Sequence, residues 1–368
     1  MNTIDTSQYP ALLASKTEHI KQRFAEFTVP ELEVFSSQPS HFRLRAEFRV
    51  WHTGNRCHYA MTEKGNNKNI YEVTDFPIAS ELINTLMPAL LAELNSTDAL
   101  KHRLFQAEFL TTLSGDALIT LIYHRQLDDN WKTLALALQE KLGVSIIGRA
   151  RKQKVALDRD YVIEALTVNN QLYKYKQIEG GFTQPNGEMN QTMLTWAQSC
   201  SSLTAPYKDS DLVELYCGNG NFSIALAGHY RKILATEISK TSVNAAQYNI
   251  QENNIDNLII ARLSSEEFVQ ALQGEREFRR LEGIDLSEYQ FDTVLVDPPR
   301  AGLDDESVKQ VQKYDNIIYI SCNPETLCNN LQVFAQTHDI KRFALFDQFP
   351  YTNHVECGIL LIRKNTQP

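Results

Sequence analysis

The stretch that decides the fold is Glu214-Leu-Tyr-Cys-Gly-Asn-Gly-Asn-Phe222, which joins an apolar strand to a helical segment. Gly218 and Gly220 allow a sharp turn and let a ligand approach the backbone closely. A strand that ends in such a turn and continues into a helix is typical of an α/β sheet, in which ligands bind at the carboxyl ends of the strands. The stretch therefore predicts a ligand site as well as a fold.

An alternation of strands and helices runs through the second half of the chain. Several of the predicted strands are continuous apolar runs, which indicates burial on both faces of a mostly parallel sheet. The predicted strands are 211–216, 232–237, 257–261, 291–297, 315–321, 342–347 and 355–363, with helices over 239–253 and 324–337. We expect a doubly wound α/β sheet in which the last two strands form a hairpin and add one antiparallel strand.

Glu237 ends the second of these strands, where an acid can accept hydrogen bonds from both hydroxyls of a ribose. The glycine turn lacks the third glycine of the dinucleotide fingerprint, so a pyrophosphate site is weakly supported. A glycine turn with a ribose-binding acid suits S-adenosylmethionine, which contains an adenosine but no phosphate. An ordinary strand-to-helix turn remains the alternative for this motif.

Asp297-Pro-Pro-Arg300 follows the fourth strand and lies at the same predicted edge of the sheet. The two prolines stiffen the backbone beside the acid. Two methyl-transfer chemistries fit this motif. One is an amino-methyltransferase, in which it holds an exocyclic amine; the other is a pyrimidine-C5 enzyme, in which the acid helps to polarise the ring.

Cys322 ends the fifth strand and precedes a helix predicted to begin near Pro324. A helix N-terminus lowers the pKa of a thiol, so we expect Cys322 to form a reactive thiolate. The C5 atom of a uracil attacks a methyl group only after a thiolate has added to C6, and a base must then remove the C5 proton. Cys322 and Glu356, at the start of the last strand, could fill these two roles. Cytosine needs the same thiolate, so the choice of nucleobase stays open at this point.

The first half of the chain has a different pattern. Residues 42–51 alternate apolar and polar side chains, which predicts a half-buried strand whose outer face carries Arg43, Arg45 and Arg49. A second basic stretch lies at 149–154. The other predicted elements of this half are strands over 118–124 and 144–149 and helices over 80–94 and 131–142. Their order favours an α+β domain with an antiparallel sheet.

Glycine and proline cluster after Glu179, which indicates a linker between two domains that we place at 1–180 and 181–368. The net charge of the chain is −9. The first half contains 21 basic and 21 acidic residues, and the second contains 15 and 24. The acidic total therefore does not exclude a nucleic-acid enzyme, because the first half is free to carry basic patches.

A base inside folded RNA must be flipped out before such chemistry can reach it. Aromatic rings and arginine planes commonly support the splayed nucleotides of RNA loops. The candidates for such contacts in the first half are Trp51, Phe105, His124 and Arg125.

The six cysteines show no CxxC spacing, which predicts neither a metal site nor an iron–sulfur cluster and fits a reducing compartment. The N-terminal residues lack the apolar region of a signal peptide. No run reaches the roughly 20 apolar residues that span a bilayer. The sequence therefore predicts a cytoplasmic protein with no membrane partner.

Six motifs together resemble the tRNA (uracil-5-)-methyltransferase family over nearly the whole chain. They are FTQPN (182–186), ELYCGNGNFS (214–223), ATEIS (235–239), VDPPRAGL (296–303), YISCNPETLCNNL (319–331) and FDQFPYTNHVE (346–356). Two further stretches are similar to the branch of the family that acts on tRNA, namely HFRLRAEFRVWH (41–52) and LFQAEFLTTLSG (104–115).

The resemblance implies a class I, Rossmann-like methyltransferase domain preceded by a smaller α+β RNA-binding domain. It implies S-adenosylmethionine-dependent formation of 5-methyluridine in the T loop of tRNA, with transfer-messenger RNA as a further candidate substrate. By motif, Cys322 would be the nucleophile and Glu356 the base, and Phe105 matches an aromatic residue that contacts the unfolded T loop. The residues implied to hold the cofactor are Gln184, Tyr216, Asn221, Glu237 and Asp297.

Relatives that methylate ribosomal RNA usually carry an extra N-terminal β-barrel and four cysteines for an iron–sulfur cluster. This chain shows neither pattern, since Cys57 is the only cysteine before Cys200, and the tRNA branch is favoured. A ribosomal RNA uracil-C5 methyltransferase remains an alternative. So do an adenine-N6 methyltransferase, which would leave Cys322 without a role, and an RNA-folding module without essential catalysis. The segment 199–211 is longer than usual for the family and is predicted to be a surface loop.

Overall fold

The computed structural model describes residues 4–63, 66–205 and 209–365. Their packing forms two compact units that interleave along the chain. Unit 1 comprises Met1–Ser7, Gln38–Ala165 and Gln177–Gly187, and unit 2 comprises Gln8–Ser37, Leu166–Lys176 and Glu188–Pro368. The two domains predicted at 1–180 and 181–368 stay a prediction. The packing places Gln8–Ser37, from the first of them, with unit 2.

The strands and helices are numbered in chain order. The strands are β1 (Leu32–Phe35), β2 (Arg45–Thr53), β3 (Arg56–Glu63), β4 (Asn66–Glu72), β5 (Leu104–Thr111), β6 (Ala117–Tyr123), β7 (Ser145–Ala150), β8 (Gln153–Ala156), β9 (Tyr161–Val168), β10 (Gln171–Ile178), β11 (Asp211–Leu215), β12 (Ile233–Thr236), β13 (Leu258–Ala261), β14 (Phe291–Val296), β15 (Asn316–Ser321), β16 (His338–Phe346) and β17 (Glu356–Arg363). The α-helices are α1 (Tyr9–Arg23), α2 (Glu81–Ser96), α3 (Asp98–Lys101), α4 (Asp129–Leu142), α5 (Gly187–Thr204), α6 (Asn221–Leu226), α7 (Lys240–Glu252), α8 (Ser265–Leu272), α9 (Asp305–Val311) and α10 (Pro324–Thr337).

Unit 2 contains an eight-stranded sheet in the order β1-β16-β17-β15-β14-β11-β12-β13. The paired strands are parallel except for β17, which is antiparallel to both β15 and β16. The predicted doubly wound α/β sheet with one antiparallel strand is confirmed. Strand β1 extends its edge by pairing with β16, an addition that the sequence patterns did not predict.

Apolar residues on both faces of the strands explain why this sheet is buried. In β15 all six residues are buried. Ile317 and Tyr319 pack in the core on one face of the sheet, whereas Ile318 and Ile320 pack in the core on the other. Each such side chain contributes about 1.5–3 kcal/mol on full burial. The continuous apolar run is therefore the sequence form of a strand between two helical layers.

The sheet also fixes where a ligand can enter unit 2. Strand β11 pairs with β12 on one side and with β14 on the other. The connections that leave β11 and β12 run toward one edge of the sheet, and the strands after β13 lie toward the other edge. A crevice opens at such a switch point, outside the carboxyl ends of the strands. The glycine turn after β11 and the Asp297 motif after β14 meet there.

Unit 1 contains a seven-stranded sheet in the order β4-β3-β2-β5-β6-β7-β8. Its neighbours are antiparallel except for β6 and β7, which are parallel and joined through α4. The α+β prediction holds, but the sheet is mixed rather than purely antiparallel. The reason is the helix, which carries the chain back across the sheet so that the next strand runs in the same direction.

The prediction of a surface loop over 199–211 was wrong for its first residues. Helix α5 continues to Thr204, and Cys200 and Ser201 are fully buried. The Ser201 hydroxyl donates to the Ala197 carbonyl at 3.1 Å, so a serine-rich segment satisfies its polar groups within the helix. Residues 206–208 lie outside the described part of the chain.

Within the described ranges, no helix combines the length and apolar character that crossing a bilayer requires. No group of three or more His, Cys, Asp or Glu side chains there is arranged to hold a metal ion. All six cysteines are free thiols.

Candidate active site

The turn after β11 has the backbone conformation that its glycines predict. The φ angles are 64° at Tyr216, 56° at Gly218 and 82° at Gly220, all in the left-handed region. A Cβ atom built on Gly218 would meet no atom within 4 Å. Glycine is thus required there for conformation, and the space above it is open to a ligand.

Glu237 is fixed against this turn. One carboxylate oxygen accepts a hydrogen bond from the Gly218 amide at 3.0 Å, and the other accepts from the Ser239 amide at 2.7 Å. Each oxygen keeps further lone pairs, so the carboxylate can still accept bonds from ribose hydroxyls. Next to it, Ile238 is a large apolar side chain that is 67% exposed. The sequence reasoning missed Ile238, although its place directly after the predicted ribose acid was a usable signal.

The polar groups of Tyr216 and Asn221 already have protein partners. The Tyr216 hydroxyl lies 2.8 Å from the Ser265 hydroxyl. The side-chain amide of Asn221 pairs reciprocally with that of Asn190, at 2.8 and 2.9 Å. A cofactor would therefore contact the Tyr216 ring or the backbone of either residue, unless one of these side chains exchanged its protein partner for the cofactor. The binding roles of both residues stay predictions. Asn190 is a buried site neighbour that no sequence motif contained.

Gln184 lies in unit 1, in the loop between β10 and α5, and is partly buried. The other four residues predicted to hold the cofactor belong to unit 2. The cofactor role of Gln184 stays a prediction.

Buried carboxyl groups with raised pKa values lie at the carboxyl edge of the sheet. Burial raises the pKa of Asp297, after β14, to about 7. Burial raises the pKa of Glu214, within β11, to about 8, with smaller contributions from Asp297 and Glu237. A buried carboxyl next to other acids favours its neutral form. The crevice is therefore suited to a cationic ligand, which would compensate these acids.

These shifts predict a pH dependence of stability. Glu214 holds its proton in the folded state up to about pH 8, but in the unfolded chain it loses the proton near its usual pKa of 4.5. Its stabilising contribution is complete below about pH 4.5 and is lost as the pH rises through about 8. We expect the thermal midpoint of the ligand-free protein to fall between pH 5 and pH 9, and Glu214→Gln to flatten that fall. Glu266→Gln, at an exposed acid of α8, is the matched control; parallel pH profiles for the two variants would contradict the assignment.

The paired strands place Cys322 and Glu356 at the same end of their ladder. The antiparallel pairing of β15 with β17 ends at Ser321 opposite Cys357. Cys322 directly follows β15 and Glu356 begins β17, and the two residues are close enough for the charge of Glu356 to raise the pKa of Cys322. Asp297 follows β14, which pairs with β15 on its other side. Three predicted site residues from distant parts of the sequence thus meet at one edge.

The expected lowering of the Cys322 pKa was wrong. Burial, reinforced by the charges of Glu356 and Asp297, raises the pKa of this thiol to about 11, and the opposing effect of Arg300 is smaller. Helix α10 begins just after it, at Pro324, but desolvation and the two carboxyl groups raise the pKa of Cys322 at this position. Burial and Asp297 also raise the pKa of Glu356 well above its usual value. In the free protein, Cys322 is therefore protonated at neutral pH, and the environment of Glu356 favours its protonated form.

A pocket of about 400 Å³ opens beside Cys322 in unit 2. Its walls come from α1, from the start of α10, and from the segment before β17. The lining residues are Leu12, Ser15, Lys16, His19, Ile20, Arg23, Arg300, Cys322, Asn323, Pro324, Glu325, Thr352, Asn353, His354 and Val355. Its volume is sufficient for a nucleobase with part of its sugar.

In unit 1, an aromatic and cationic cluster forms a second candidate surface. The rings of Phe105 and His124 stack at 4.3 Å between centroids with an angle of 22°, and the Arg49 guanidinium lies 5.3 Å from the centre of the Phe105 ring. These side chains line an open pocket of about 560 Å³ together with Trp51, which is 45% exposed. Planar side chains in an open, cationic pocket can support unstacked nucleobases.

The structure corrects the predicted cationic face of the 42–51 strand. The alternation is confirmed, since Phe48 and Val50 are buried. However, Arg43 donates to the Arg45 carbonyl at 2.7 Å, and Arg45 donates to the Gly181 carbonyl at 2.9 Å. Both are partly buried, and Arg49 is the exposed arginine of the three.

Two other predicted basic contacts have structural partners. Arg125 donates to the carbonyls of Ala99, His102 and Gln126, which fixes its guanidinium to the backbone. In the 149–154 stretch, the Arg149 guanidinium binds Glu179 with two hydrogen bonds of 2.6 Å. The candidate RNA surface of unit 1 is thus narrower than the sequence suggested.

Comparison with known families decides the assignment. The tRNA (uracil-5-)-methyltransferase family model matches residues 8–364. The chain belongs to this family. The family predicted from the six motifs is confirmed.

The sequences of similar proteins match almost the full length of this chain. The chain is 57% identical over 358 residues to a tRNA/tmRNA (uracil-C(5))-methyltransferase of Acinetobacter baylyi, covering 96% of this chain and 98% of the relative. It is 54% identical over 365 residues to the protein of the same name from Shewanella amazonensis, covering 98% and 99%. In fold it is similar to the crystal structure of Pyrococcus abyssi tRNA (uracil-54, C5)-methyltransferase in complex with S-adenosyl-L-homocysteine. That likeness has a TM-score of 0.72 at 20% identity and covers 96% of this chain and 83% of that one.

Proposed function

We propose that the protein transfers a methyl group from S-adenosylmethionine to C5 of the T-loop uridine of tRNA and of the matching loop of transfer-messenger RNA. The observation that carries the proposal is that Cys322 and Glu356 lie at the same end of the paired strands β15 and β17, with Asp297 directly after the neighbouring strand β14. An adenine-N6 methyltransferase gives this thiol no role, whereas uracil C5 chemistry needs a nucleophile and a base on one side of a pocket. The relatives named above support the choice of uracil.

The crevice of unit 2 fits S-adenosylmethionine. Glu237 would hold the ribose, Ile238 would cover the adenine, and Gly218 leaves room beside the backbone. Gln184, Tyr216, Asn221 and Asp297 stay proposed contacts on the strength of the family motifs. S-adenosylmethionine supplies an electrophilic methyl group on a cationic sulfonium. A cation among these carboxyl groups also favours the ionised forms of Asp297, Glu356 and Cys322, whose pKa values are raised in the free protein.

Cys322 and Glu356 have complementary tasks at the carboxyl edge of the sheet, which we call the reaction edge. The Cys322 thiolate forms a bond to C6 of uracil, and the electron pair of the C5–C6 double bond moves toward C5 and the O4 carbonyl. Once C5 carries the methyl group, the Glu356 carboxylate accepts the C5 proton. The electrons of that C–H bond restore the double bond, and the C6–sulfur bond breaks to release the thiolate.

Methyl transfer with defined RNA tests the proposal. The purified protein and methyl-labelled S-adenosylmethionine are incubated with a T-arm hairpin, with the same hairpin carrying cytidine at the target position, and with a ribosomal RNA fragment. We expect label only in the first RNA and 5-methyluridine as its product by mass spectrometry. Preferential labelling of the ribosomal fragment would favour the alternative ribosomal RNA activity. Because the proposed substrates are tRNA and transfer-messenger RNA, we also propose a cytoplasmic location.

The aromatic cluster of unit 1 is proposed to receive unstacked T-loop bases. Phe105→Ala removes one stacking surface, and we expect it to weaken T-arm binding by about 1–3 kcal/mol. Leu136→Ala is a matched control, because Leu136 is also an exposed apolar side chain of unit 1 but lies on α4. The dissociation constants are measured by fluorescence anisotropy at one fixed salt concentration. Equal affinities of the two variants would remove Phe105 from the RNA surface.

A further inference from the structure

Helix α1 presents one face to the pocket that contains Cys322. The residues of the helix that line the pocket recur every three or four positions, which is the spacing of a single helical face. They are Leu12, Ser15, Lys16, His19, Ile20 and Arg23. None of the motifs that identify the family lies in this helix, and nothing in the site described so far gives it a task.

Lys16 fixes α1 in place as a wall of this pocket. Its side chain is only 9% exposed. Its ammonium group donates to the carboxylate of Asp347 at 2.5 Å and to the carbonyls of Phe349 and His354 at 2.9 and 3.3 Å. These three bonds use all three donors of the group. They join α1 to the segment that leads into Glu356, so the helix is anchored to the reaction edge.

The outer part of the wall carries exposed basic side chains that are not paired with acids. Within the described ranges, the side chains of His19, Arg23 and Arg300 make no hydrogen bond or ion pair, and all three are exposed at the pocket. Glu325 is the one acid among the lining residues. Two unpaired arginines and a histidine donor around a small pocket favour an anionic ligand, and an arginine fork matches the geometry of a phosphate.

We propose that His19 and Arg23 of α1 bind the phosphodiester groups beside the target uridine while its base lies against Cys322. The inference rests on the proposed function, since a nucleotide inserted into this pocket necessarily brings its flanking phosphates to the rim. The wall supplies binding rather than chemistry. Phosphate contacts position a nucleic acid and do not read its bases.

The test compares variants of two exposed cations of the same helix. Arg23→Ala removes a rim charge, whereas Lys21→Ala removes a charge that does not line the pocket. With T-arm RNA we expect Arg23→Ala to raise the dissociation constant roughly fivefold to tenfold and to reduce the slope of log affinity against log salt by about 0.7–0.9, the value of one phosphate contact. Arg23→Lys should keep the wild-type salt slope. The double variant His19→Ala with Arg23→Ala should reduce the slope more than Arg23→Ala alone. For Lys21→Ala, the turnover, the dissociation constant and the salt slope should stay at wild-type values, and for Arg23→Ala the affinity for S-adenosylhomocysteine and the thermal midpoint should stay at wild-type values.

Methyl transfer by the wild-type protein distinguishes failure of this inference from failure of the proposed function. If the wild-type protein methylates the T-arm hairpin, but the double variant has the same affinity and salt slope as Lys21→Ala, the phosphate site is overturned and the function stands. If the wild-type protein transfers no methyl group to the hairpin, the proposed function fails, and the inference fails with it.

Discussion

Replacement of Cys322 by alanine is expected to abolish methyl transfer, with a loss of roughly 10⁴-fold or more in the single-turnover rate. Without the thiolate, C5 of uracil remains a poor nucleophile, and Cys322 is the only cysteine among the described residues that line the pocket. The measurement is transfer of labelled methyl to T-arm RNA at saturating protein. Binding of RNA and of S-adenosylhomocysteine should be retained, because the change removes one sulfur atom.

Cys328 provides the matched control for this experiment. It is a partly buried free thiol on α10, the helix that follows Cys322, and its sulfur contacts the Glu26 carboxylate and the Arg23 carbonyl. Cys328→Ala should keep near-wild-type turnover. Full activity of Cys322→Ala would overturn the covalent mechanism and revive an amino-methyltransferase. A variant without turnover that still restores normal growth to cells lacking the gene would instead show that RNA folding is the essential activity.

Glu356→Gln is expected to trap the enzyme on its RNA. The amide cannot accept the C5 proton, so methyl transfer can proceed while release of the C6–sulfur bond slows by about 10²–10⁴-fold. The methylated covalent complex should then accumulate with unmodified T-arm RNA and migrate as a shifted band on a denaturing gel. Wild-type protein should give a comparable band only with 5-fluorouridine RNA, whose fluorine replaces the proton that must leave.

The pH dependence of release tests whether Glu356 is the base. A base acts in its ionised form, which is populated above its pKa, and burial together with Asp297 holds the pKa of Glu356 well above the usual value. The wild-type release rate should therefore increase with pH until Glu356 is ionised, which happens at a higher pH than for a solvated glutamate. The residual rate of Glu356→Gln should not follow that increase. Rapid release by Glu356→Gln, or an unchanged pH profile, would assign proton removal to another group.

Much of the catalytic unit could be predicted because local periodicity and sheet geometry act together. Apolar runs such as 316–321 mark strands buried on both faces, and the polar residues that follow them lie at one edge. The positions of Asp297, Cys322 and Glu356 beside strand ends therefore predicted that the three residues lie close together. The same logic failed for segment 199–211, because a serine-rich stretch can be a buried helix when its hydroxyls bond back to the preceding turn.

The sequence by itself determined the α/β fold and the family and predicted the residues of the reaction edge, because each depends on residue types at fixed spacing along the chain. Tertiary structure alone decided the electrostatic state of that edge and its surroundings. It raised the pKa of Cys322 where a helix start predicted the opposite, turned Arg45 toward a backbone carbonyl, and brought Lys16 to Asp347 across 331 positions of sequence. Those outcomes depend on burial and on neighbours through space, and no local pattern records either.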